Sequence, residues 1–254
     1  MAQRLDNATG LYLDAIRDGN YTEAINAYVG QRYTQHSTPV RDGREGFIDF
    51  FENFTKRNPV RDIQIIRSFE DDHFVFLQVL QDLNNGEYRY VTADIFDTDE
   101  EAKLIEHWDM ITEMQPTTVS GRTEIDGPTE ITDLDKTEVN KRLVVEFVTN
   151  VLIADDHAHA SDYLHADLAQ HDPRIADGRA AFLEYSRTQS LRYTQIHNTI
   201  GSGNFVAVLA ASELEGTPIA AIDLYRVETG LIVEHWSVAE EITDRATWVN
   251  SGKF

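Results

Sequence analysis

The chain contains nearly the same phrase twice. QHSTPVRDGREGF at residues 35–47 returns without a gap as QHDPRIADGRAAF at residues 170–182. A second pair follows in the same order, because LIEHWDMI at 104–111 corresponds to IVEHWSVA at 232–239. Ordered repetition over this distance indicates duplication of a whole domain of roughly 110–120 residues, rather than a solenoid of short units.

The length of the chain agrees with two domains. The sequence has 254 residues, a little under two domains on the usual scale of roughly 100–200 residues each. Residues 115–135 are rich in Thr, Gly, Pro and acidic residues and lack apolar periodicity, which is typical of an exposed connection. We therefore predict a first domain over residues 1–118, a linker over 119–135 and a second domain over 136–254.

The composition excludes several classes of protein. The chain carries 44 acidic and 22 basic residues, for a formal net charge of −22, and such a surface repels phosphate backbones and anionic lipids. We expect neither nucleic acid nor a membrane as a partner. The absence of cysteine excludes disulfides, thiolate metal sites and a cysteine nucleophile. No apolar run has the length of a signal-peptide core or a membrane span, so we expect a cytoplasmic protein, and the acidic surface leaves a salt-rich cytoplasm open.

The apolar pattern changes from helical to strand-like within each half. Phe47, Phe50, Phe51 and Phe54 recur at helical spacing, and three helices are predicted before the sheet. After Pro59 the texture becomes β-type, with runs at 63–69, 73–83, 87–96 and 104–111, and the second half repeats the change. Helices followed by strands predict an α+β fold, in which helices pack on one face of a curved, mostly antiparallel sheet.

These features together resemble the SnoaL-like family of the nuclear transport factor 2-like superfamily. The motifs that carry the resemblance in the first half are Tyr33-Thr34-Gln35-His36, Asp42-Gly43-Arg44-Glu45-Gly46-Phe47, Asp94-Ile95-Phe96 and Glu106-His107-Trp108-Asp109. Their counterparts in the second half are Gln170-His171, Asp177-Gly178-Arg179, Asp223-Leu224-Tyr225 and Glu234-His235-Trp236.

The resemblance implies a cone-shaped α+β barrel with a small-molecule pocket between the sheet and the helices. Family members often pair through their sheets, which implies an internal pseudo-dimer here and leaves further homo-oligomerisation open. Some members close polyketide rings by aldol chemistry, whereas others with the same fold are isomerases, dehydratases, hydrolases or non-catalytic binders.

The repeated phrase divides into two parts. Asp42 and Asp177 precede an apolar helical stripe and are predicted to cap a helix, with Glu45 completing a capping box in the first half. His36 and its counterpart are not needed to begin a helix. Such a histidine either transfers a proton at the mouth of a pocket or fixes the loop through a backbone carbonyl, and both interpretations stay open.

Strand periodicity directs the carboxylates of the first half. Tyr90, Asp94 and Phe96 share one face of the strand at 87–96, so Asp94 lies in an aromatic row. Partial burial there would raise the pKa of the Asp94 carboxyl toward the range of a general base, although the side chain could instead only pin the sheet. His107 and Asp109 project to one face of the last strand, opposite to Trp108, which we expect in the core or an interface.

The predicted site residues follow from these faces. In the first half the catalytic candidates are His36, Asp94, His107 and Asp109, and the pocket residues are Gln35, Tyr90 and Phe96. In the second half the catalytic candidates are His171, Asp223 and His235, and the pocket residues are Gln170, Tyr225 and Ser237. Serine at position 237 replaces the acid at position 109 and cannot carry its charge, which puts the activity of the second pocket in doubt.

The sequence predicts neither a metal site nor a cofactor. DDHAHASDYLH at 155–165 is rich in histidine but aligns with a helical segment of the first half, and we predict no metal site there. No glycine-rich phosphate loop and no Gly-x-Ser-x-Gly elbow occurs, so we predict no cofactor.

Two function classes remain. The first candidate is a cofactor-free acid–base enzyme acting on a carbonyl compound by aldol-type cyclisation, isomerisation or dehydration. The second is a non-catalytic module that binds an apolar small molecule.

Overall fold

The computed structural model describes residues 2–254, which form two compact units. Unit 1 comprises Met1–Glu113 together with Thr243–Phe254, and unit 2 comprises Met114–Ile242. Among the described residues, we find no helix with the length and apolar character that a membrane crossing would require.

Unit 1 consists of helices and one five-stranded sheet. Its helices are α1 (Ala2–Gly10), which continues as π-helical turns over Leu11–Arg17, α2 (Tyr21–Tyr28) and α3 (Gly43–Arg57). Its strands are β1 (Val29–Gln35), β2 (Arg61–Asp71), β3 (Phe74–Leu83), β4 (Tyr88–Thr98) and β5 (Leu104–Glu113).

Unit 2 repeats this arrangement. Its helices are α4 (Thr137–Phe147), which continues as π-helical turns over Val148–Ile153, and α5 (Arg179–Thr188). Its strands are β6 (Leu164–Gln170), β7 (Arg192–Ser202), β8 (Phe205–Leu214), β9 (Thr217–Glu228) and β10 (Leu231–Glu241). Short 3-10 turns occupy Leu134–Lys136, His157–Asp162 and Arg245–Thr247.

The two sheets have the same strand order, which confirms the predicted α+β class. The order is β1-β5-β4-β3-β2 in unit 1 and β6-β10-β9-β8-β7 in unit 2. Only the first strand of each sheet is parallel to its neighbour, and the other pairings are antiparallel. The prediction that three helices precede the sheet is wrong in one respect, because the short strand β1 lies between α2 and α3. Its mixed polar sequence gave no strand signal.

The sheet of unit 1 is apolar on both faces. Val75 and Leu77 of β3 join Phe47 and Phe51 of α3 in the core between sheet and helices. Phe76, which alternates with them, is also fully buried. Each such side chain contributes about 1.5–3 kcal/mol through burial, so the strands need cover on both sides. The pairing of the two sheets as an internal pseudo-dimer stays a prediction.

The segment that follows the last strand of each unit belongs to the other unit. We call Thr243–Phe254 the closing segment, which is part of unit 1, and residues 114–133 the connecting segment, which is part of unit 2. The amide of Val249 donates to the carbonyl of Thr38 at 3.1 Å, and the amide of Val119 donates to the carbonyl of Pro173 at 3.0 Å. Thr38 and Pro173 are equivalent in the repeated phrase, so the two segments bind alike. Glu124, within the segment predicted as an exposed linker over 119–135, is buried. The predicted domain bounds stay a prediction.

The Asp-Gly-Arg part of the phrase begins α3 in unit 1, but not through a side-chain cap. Asp42 precedes α3 without a side-chain bond to its first turn. Its Oδ1 instead accepts a hydrogen bond from the backbone amide of Gln35 at 2.8 Å. Arg44 donates through Nε to the carbonyl of Gly30 at 3.0 Å. Gly43 has a φ of +83°, a conformation that favours glycine.

Unit 2 uses the same three residues in the same way. Asp177 Oδ1 accepts from the amide of Gln170 at 2.8 Å, Arg179 donates to the carbonyl of Leu164 at 2.8 Å, and Gly178 has a φ of +101°. Gly178, rather than Asp177, is the residue directly before α5. The predicted capping role of both aspartates is therefore corrected: each ties the helix entrance to the strand before it.

Candidate active site

Unit 1 contains a cavity of about 540 Å³ between its sheet and its helices. Its apolar wall is largely aromatic and comprises Phe47, Phe50, Phe51, Phe54, Tyr90 and Phe96. The volume lies in the range of small-molecule sites, which run from about 300 to 1,000 Å³. The predicted pocket residues Gln35, Tyr90 and Phe96 all line the cavity, and so do His107 and Asp109.

Asp94 lies next to this cavity and is fully buried. Its Oδ1 accepts a hydrogen bond from Tyr12 Oη at 2.7 Å and lies 2.9 Å from His107 Nε2. Its Oδ2 accepts from Thr92 Oγ1 at 2.6 Å. Burial raises the pKa of Asp94, and the bond to His107 opposes that rise. Asp94 therefore lies at the centre of a buried hydrogen-bond network and does not line the cavity.

The bond between His107 and Gln35 fixes one proton of the imidazole. His107 Nδ1 lies 3.0 Å from Gln35 Oε1. That oxygen also accepts from the amide of Ser37 at 3.4 Å, so it must be the carbonyl end of the side chain and Nδ1 must carry the hydrogen. The other ring nitrogen, Nε2, lies against Asp94 Oδ1. Because both ring nitrogens are engaged, His107 presents its edge to the network and not to a ligand.

Asp109 is the carboxylate that lines the cavity. It shares this face of the sheet with Asp94, its register partner across β4 and β5. Lys253 of the closing segment donates to the backbone carbonyl of Asp109 at 3.0 Å, and its Nζ lies 3.5 Å from Asp109 Oδ1. An ammonium beside a buried carboxylate favours the charged form of the acid. Asp109 thus lines the cavity with the ammonium of Lys253 beside it.

Tyr33 is a functional residue that the sequence analysis missed. Its side chain lines the cavity and is 3% exposed, and its hydroxyl has no hydrogen-bond partner among the described residues. Burial raises the pKa of Tyr33 well above its ordinary value, and the charges of Asp109 and Asp94 add to the rise. The hydroxyl of Tyr33 therefore stays protonated and can donate a hydrogen bond to a ligand. The sequence signal for Tyr33 was its position two residues before Gln35, because residues two apart lie on the same face of a strand.

His36 and His171 lie outside the cavities, so the interpretation in which such a histidine transfers a proton at the mouth of a pocket is wrong. His36 Nδ1 lies 2.6 Å from the carbonyl of Gly252 and its Nε2 2.9 Å from Glu106 Oε1. Its ring stacks on Trp108 at 4.8 Å. His171 repeats this with the carbonyl of Thr123 at 2.7 Å. The alternative interpretation applies, in which the histidine fixes a loop through a backbone carbonyl.

Unit 2 contains the same buried network. His235 Nδ1 lies 3.0 Å from Gln170 Oε1, and His235 Nε2 lies 3.3 Å from Asp223 Oδ1. Tyr193 donates to Asp223 Oδ2 at 2.6 Å, as Tyr12 donates to Asp94 in unit 1. Tyr225 stacks on His235 at 4.9 Å. The tyrosine donor comes from a strand in unit 2 and from a helix in unit 1.

The cavity of unit 2 is nearly closed. Its volume is about 20 Å³, and its lining includes His235 and Ser237 but not Asp223, Gln170 or Tyr225. Arg174, which also lines it, forms an ion pair with Asp172 at 2.6 Å. Leu168 replaces Tyr33 in the alignment of the phrases. Unit 2 thus has the network but lacks the space, the acid of position 109 and a hydroxyl at the position of Tyr33.

Asp94, His107 and Asp109 offer ligand atoms within 4.8 Å of one another, a spacing that a metal ion could bridge. Asp94 already makes three hydrogen bonds, and the ammonium of Lys253 already lies beside Asp109. These contacts satisfy the polar groups without a cation. The prediction of no metal site, made for residues 155–165, stays a prediction.

The fold and the cavity define an α+β domain with a cavity between its sheet and its helices. The family model of the SnoaL-like domain matches residues 144–235. That range runs from α4 into β10, so unit 2 is similar to the SnoaL-like domain over this part of the chain. Unit 1 shares its strand order and its ordered motifs, which fits a duplication of this domain.

Solved structures show distant likenesses. A nuclear transport factor 2-like protein of unknown function from Cytophaga hutchinsonii is 22% identical, and the alignment covers 45% of this chain and 95% of that chain with a TM-score of 0.36. A protein from Kribbella flavida, provisionally described as a ketosteroid isomerase, is 16% identical, with coverage of 43% and 83% and a TM-score of 0.38. A SnoaL-like polyketide cyclase from Agrobacterium tumefaciens is 15% identical, with coverage of 40% and 85% and a TM-score of 0.34. No curated protein matches the sequence. These likenesses are too distant to transfer an activity to this chain.

Proposed function

We propose that unit 1 is a cofactor-free acid–base enzyme that moves a proton at the carbon next to a carbonyl group. Asp109 is the general base, and Tyr33 donates a hydrogen bond to the carbonyl oxygen. The observation that carries the proposal is the presence of a buried carboxylate and an unpaired buried hydroxyl in the wall of one aromatic cavity. An apolar cavity with a few polar groups is the usual form of a small-molecule site.

The chemistry needs only these two groups. Asp109 takes the proton from the carbon, and the electron pair of the C–H bond moves into the carbonyl to form an enolate. Tyr33 stabilises the enolate oxygen with its hydrogen bond. The protonated Asp109 then returns its proton. It goes to another carbon of the enolate, to the alkoxide formed when the enolate attacks a second carbonyl, or to a β-hydroxyl that leaves as water, which give isomerisation, aldol closure and dehydration respectively. A positioned base contributes about 10²–10⁴-fold to such a rate.

The network around Asp94 has a supporting role in this scheme. The same network is present in unit 2, where the cavity is only about 20 Å³. A network that persists without room for a ligand stabilises the fold, and in unit 1 it also fixes the strand that carries Asp109. We therefore propose one working site, in unit 1.

A non-catalytic binding module is the second candidate. It is favoured by the engagement of both His107 nitrogens within the network, which leaves this histidine unable to shuttle a proton to a ligand without rearrangement. The same aromatic cavity would then hold an apolar molecule without converting it.

Deuterium exchange distinguishes the two candidates without knowledge of the natural substrate. Ketones and aldehydes that raise the melting temperature in a metabolite screen are incubated with the protein in D₂O, and mass spectrometry counts the deuterium incorporated next to the carbonyl. The enzyme proposal predicts exchange that falls by about 10²-fold or more in Asp109→Asn and Tyr33→Phe. The controls are Asp49→Asn, an exposed acid, and Tyr28→Phe, a tyrosine outside the cavity. Bound ketones without exchange above the solvent rate would favour the binding module.

A further inference from the structure

Lys253 is buried beside the proposed base, although it lies 144 residues further along the chain. It belongs to the closing segment, which is part of unit 1. The side chains of Lys253 and Asp109 are 6% and 7% exposed. Two further contacts anchor the segment, because Asn250 Nδ2 donates to the carbonyls of Ser37 at 2.6 Å and Val40 at 2.9 Å.

A buried ammonium needs a compensating charge. Its transfer from water costs several kcal/mol, and removal of one partner from a buried ion pair leaves the other uncompensated. Four titratable groups besides Lys253 surround Asp109: Asp94 and His107 on the sheet, and the phenols of Tyr12 and Tyr33. The Asp94 carboxyl and the phenols do not stabilise a second negative charge. The ammonium of Lys253 does so directly.

Unit 2 provides an internal comparison. Val119 and Val249 bind equivalent carbonyls of the repeated phrase, and Lys253 follows Val249 by four residues. The carbonyls that contact His36 and His171 belong to Gly252 and Thr123, so the residue equivalent to Lys253 is Glu124. The residue equivalent to Asp109 is Ser237. Both members of the ion pair are therefore missing together in the unit whose cavity is nearly closed.

We propose that Lys253 is a positioning residue of the unit 1 site, which holds Asp109 in place and in its charged form. This inference rests on the proposed function, in which Asp109 is the base. The residue acts through Asp109 and need not touch the substrate. It makes the site of unit 1 dependent on a segment that follows unit 2 in the sequence.

The test uses the full chain and four variants. Lys253→Met removes the charge, Lys253→Arg keeps it, Lys253→Met/Asp109→Asn removes both charges, and Lys56→Met removes an exposed lysine as a control. Carbon-13 NMR of labelled aspartate reports whether the Asp109 carboxyl is ionised at pH 7, with its signal assigned as the one lost in Asp109→Asn. We expect an ionised carboxyl in the wild type, in Lys253→Arg and in Lys56→Met, and a shift toward the protonated acid in Lys253→Met.

Exchange of deuterium into a bound ketone gives the second measurement. In Lys253→Met the rate at pH 7 should fall by about 10–100-fold and recover as the pH is raised, since a base needs its charged form. A purely structural role would give a loss that does not recover with pH. If Lys253→Met is poorly folded, the double variant should recover the melting temperature, which identifies the unpaired charge as the cause. An ionised Asp109 in well-folded Lys253→Met, with an unchanged rate, would overturn the inference. If the wild type shows no exchange at all, the proposed function fails, whereas the NMR result still decides the role of Lys253.

Discussion

Asp94 and Asp109 stand directly opposite each other on the antiparallel strands β4 and β5. Burial raises the pKa of Asp94, and the charge of Asp109 adds to that rise. Two acids that share a site divide their roles when their surroundings differ. Here Asp94 is surrounded by hydrogen-bond donors, whereas Asp109 faces the cavity and Lys253.

The first prediction follows from this pair. Replacement of Asp109 by asparagine removes the neighbouring negative charge and should lower the pKa of Asp94. Carbon-13 NMR titration of labelled aspartate measures the shift, and Asp49→Asn, which alters an exposed acid, should leave the pKa of Asp94 unchanged. A pKa of Asp94 that stays the same or rises in Asp109→Asn would show that the two carboxylates do not interact.

The second prediction concerns the repeated phrase. Asp42→Ala removes the acceptor for the amide of Gln35 and should lower the free energy of unfolding by about 1 kcal/mol, the usual net value of one hydrogen bond. Affinity for a cavity ligand, measured per folded molecule, should hardly change. Urea unfolding and ligand titration test the two halves of this statement. A large loss of affinity at unchanged stability would assign Asp42 to the site instead.

Much of the fold could be predicted because it rests on local periodicity. The β-type runs at 73–83 and 104–111 match β3 and β5 closely, and the aromatic stripe from Phe47 matches α3. The strand β1 was missed because its sequence, VGQRYTQ, has few apolar residues and pairs with only one neighbour. Local pattern is a weak guide for such an edge strand.

The site was less predictable, because it depends on contacts that sequence spacing does not contain. His107 and Asp109 reach the cavity because they alternate on one strand face. His36 points away from the cavity because it directly follows Gln35 and therefore lies on the opposite face of the sheet. Lys253 had no local signal, since only the return of the closing segment to unit 1 brings it to Asp109.

The third prediction concerns pH. Burial raises the pKa of Glu124 to about 7, while the hydrogen bond from the amide of Gln115 opposes the rise. A pKa that is raised on folding means that the stabilising, protonated form is present at low pH and is lost as the pH rises through the folded value. Glu124 should therefore cost the fold about 2–3 kcal/mol above pH 7 relative to pH 4.

Glu124→Gln tests this statement. The free energy of unfolding of the wild type should fall relative to that of the variant between pH 5 and pH 8, as measured by urea denaturation. Glu130→Gln, a change at an exposed acid of the same segment, should follow the wild type. Parallel pH profiles for the wild type and Glu124→Gln would contradict the raised pKa.

The fourth prediction concerns unit 2. Arg174→Ala removes an arginine that lines the small cavity and pairs with Asp172. The variant should have a larger cavity, visible in a crystal structure, yet it should gain no deuterium exchange, because Ser237 and Leu168 supply neither a base nor a hydroxyl like that of Tyr33. Exchange that appears in Arg174→Ala combined with Asp109→Asn would show that the buried network itself can do the chemistry.

The most direct test of a single working site is the deuterium exchange rate of Asp109→Asn beside that of Asp223→Asn, on one ketone that the wild type exchanges. Each variant is compared at the same folded fraction, determined by circular dichroism. We predict that Asp109→Asn loses about 10²-fold or more of the exchange rate, the scale of a positioned base, and that Asp223→Asn keeps the wild-type rate. Equal rates in the two variants, whether both fall or both persist, would contradict the assignment of Asp109 as the base of a site confined to unit 1.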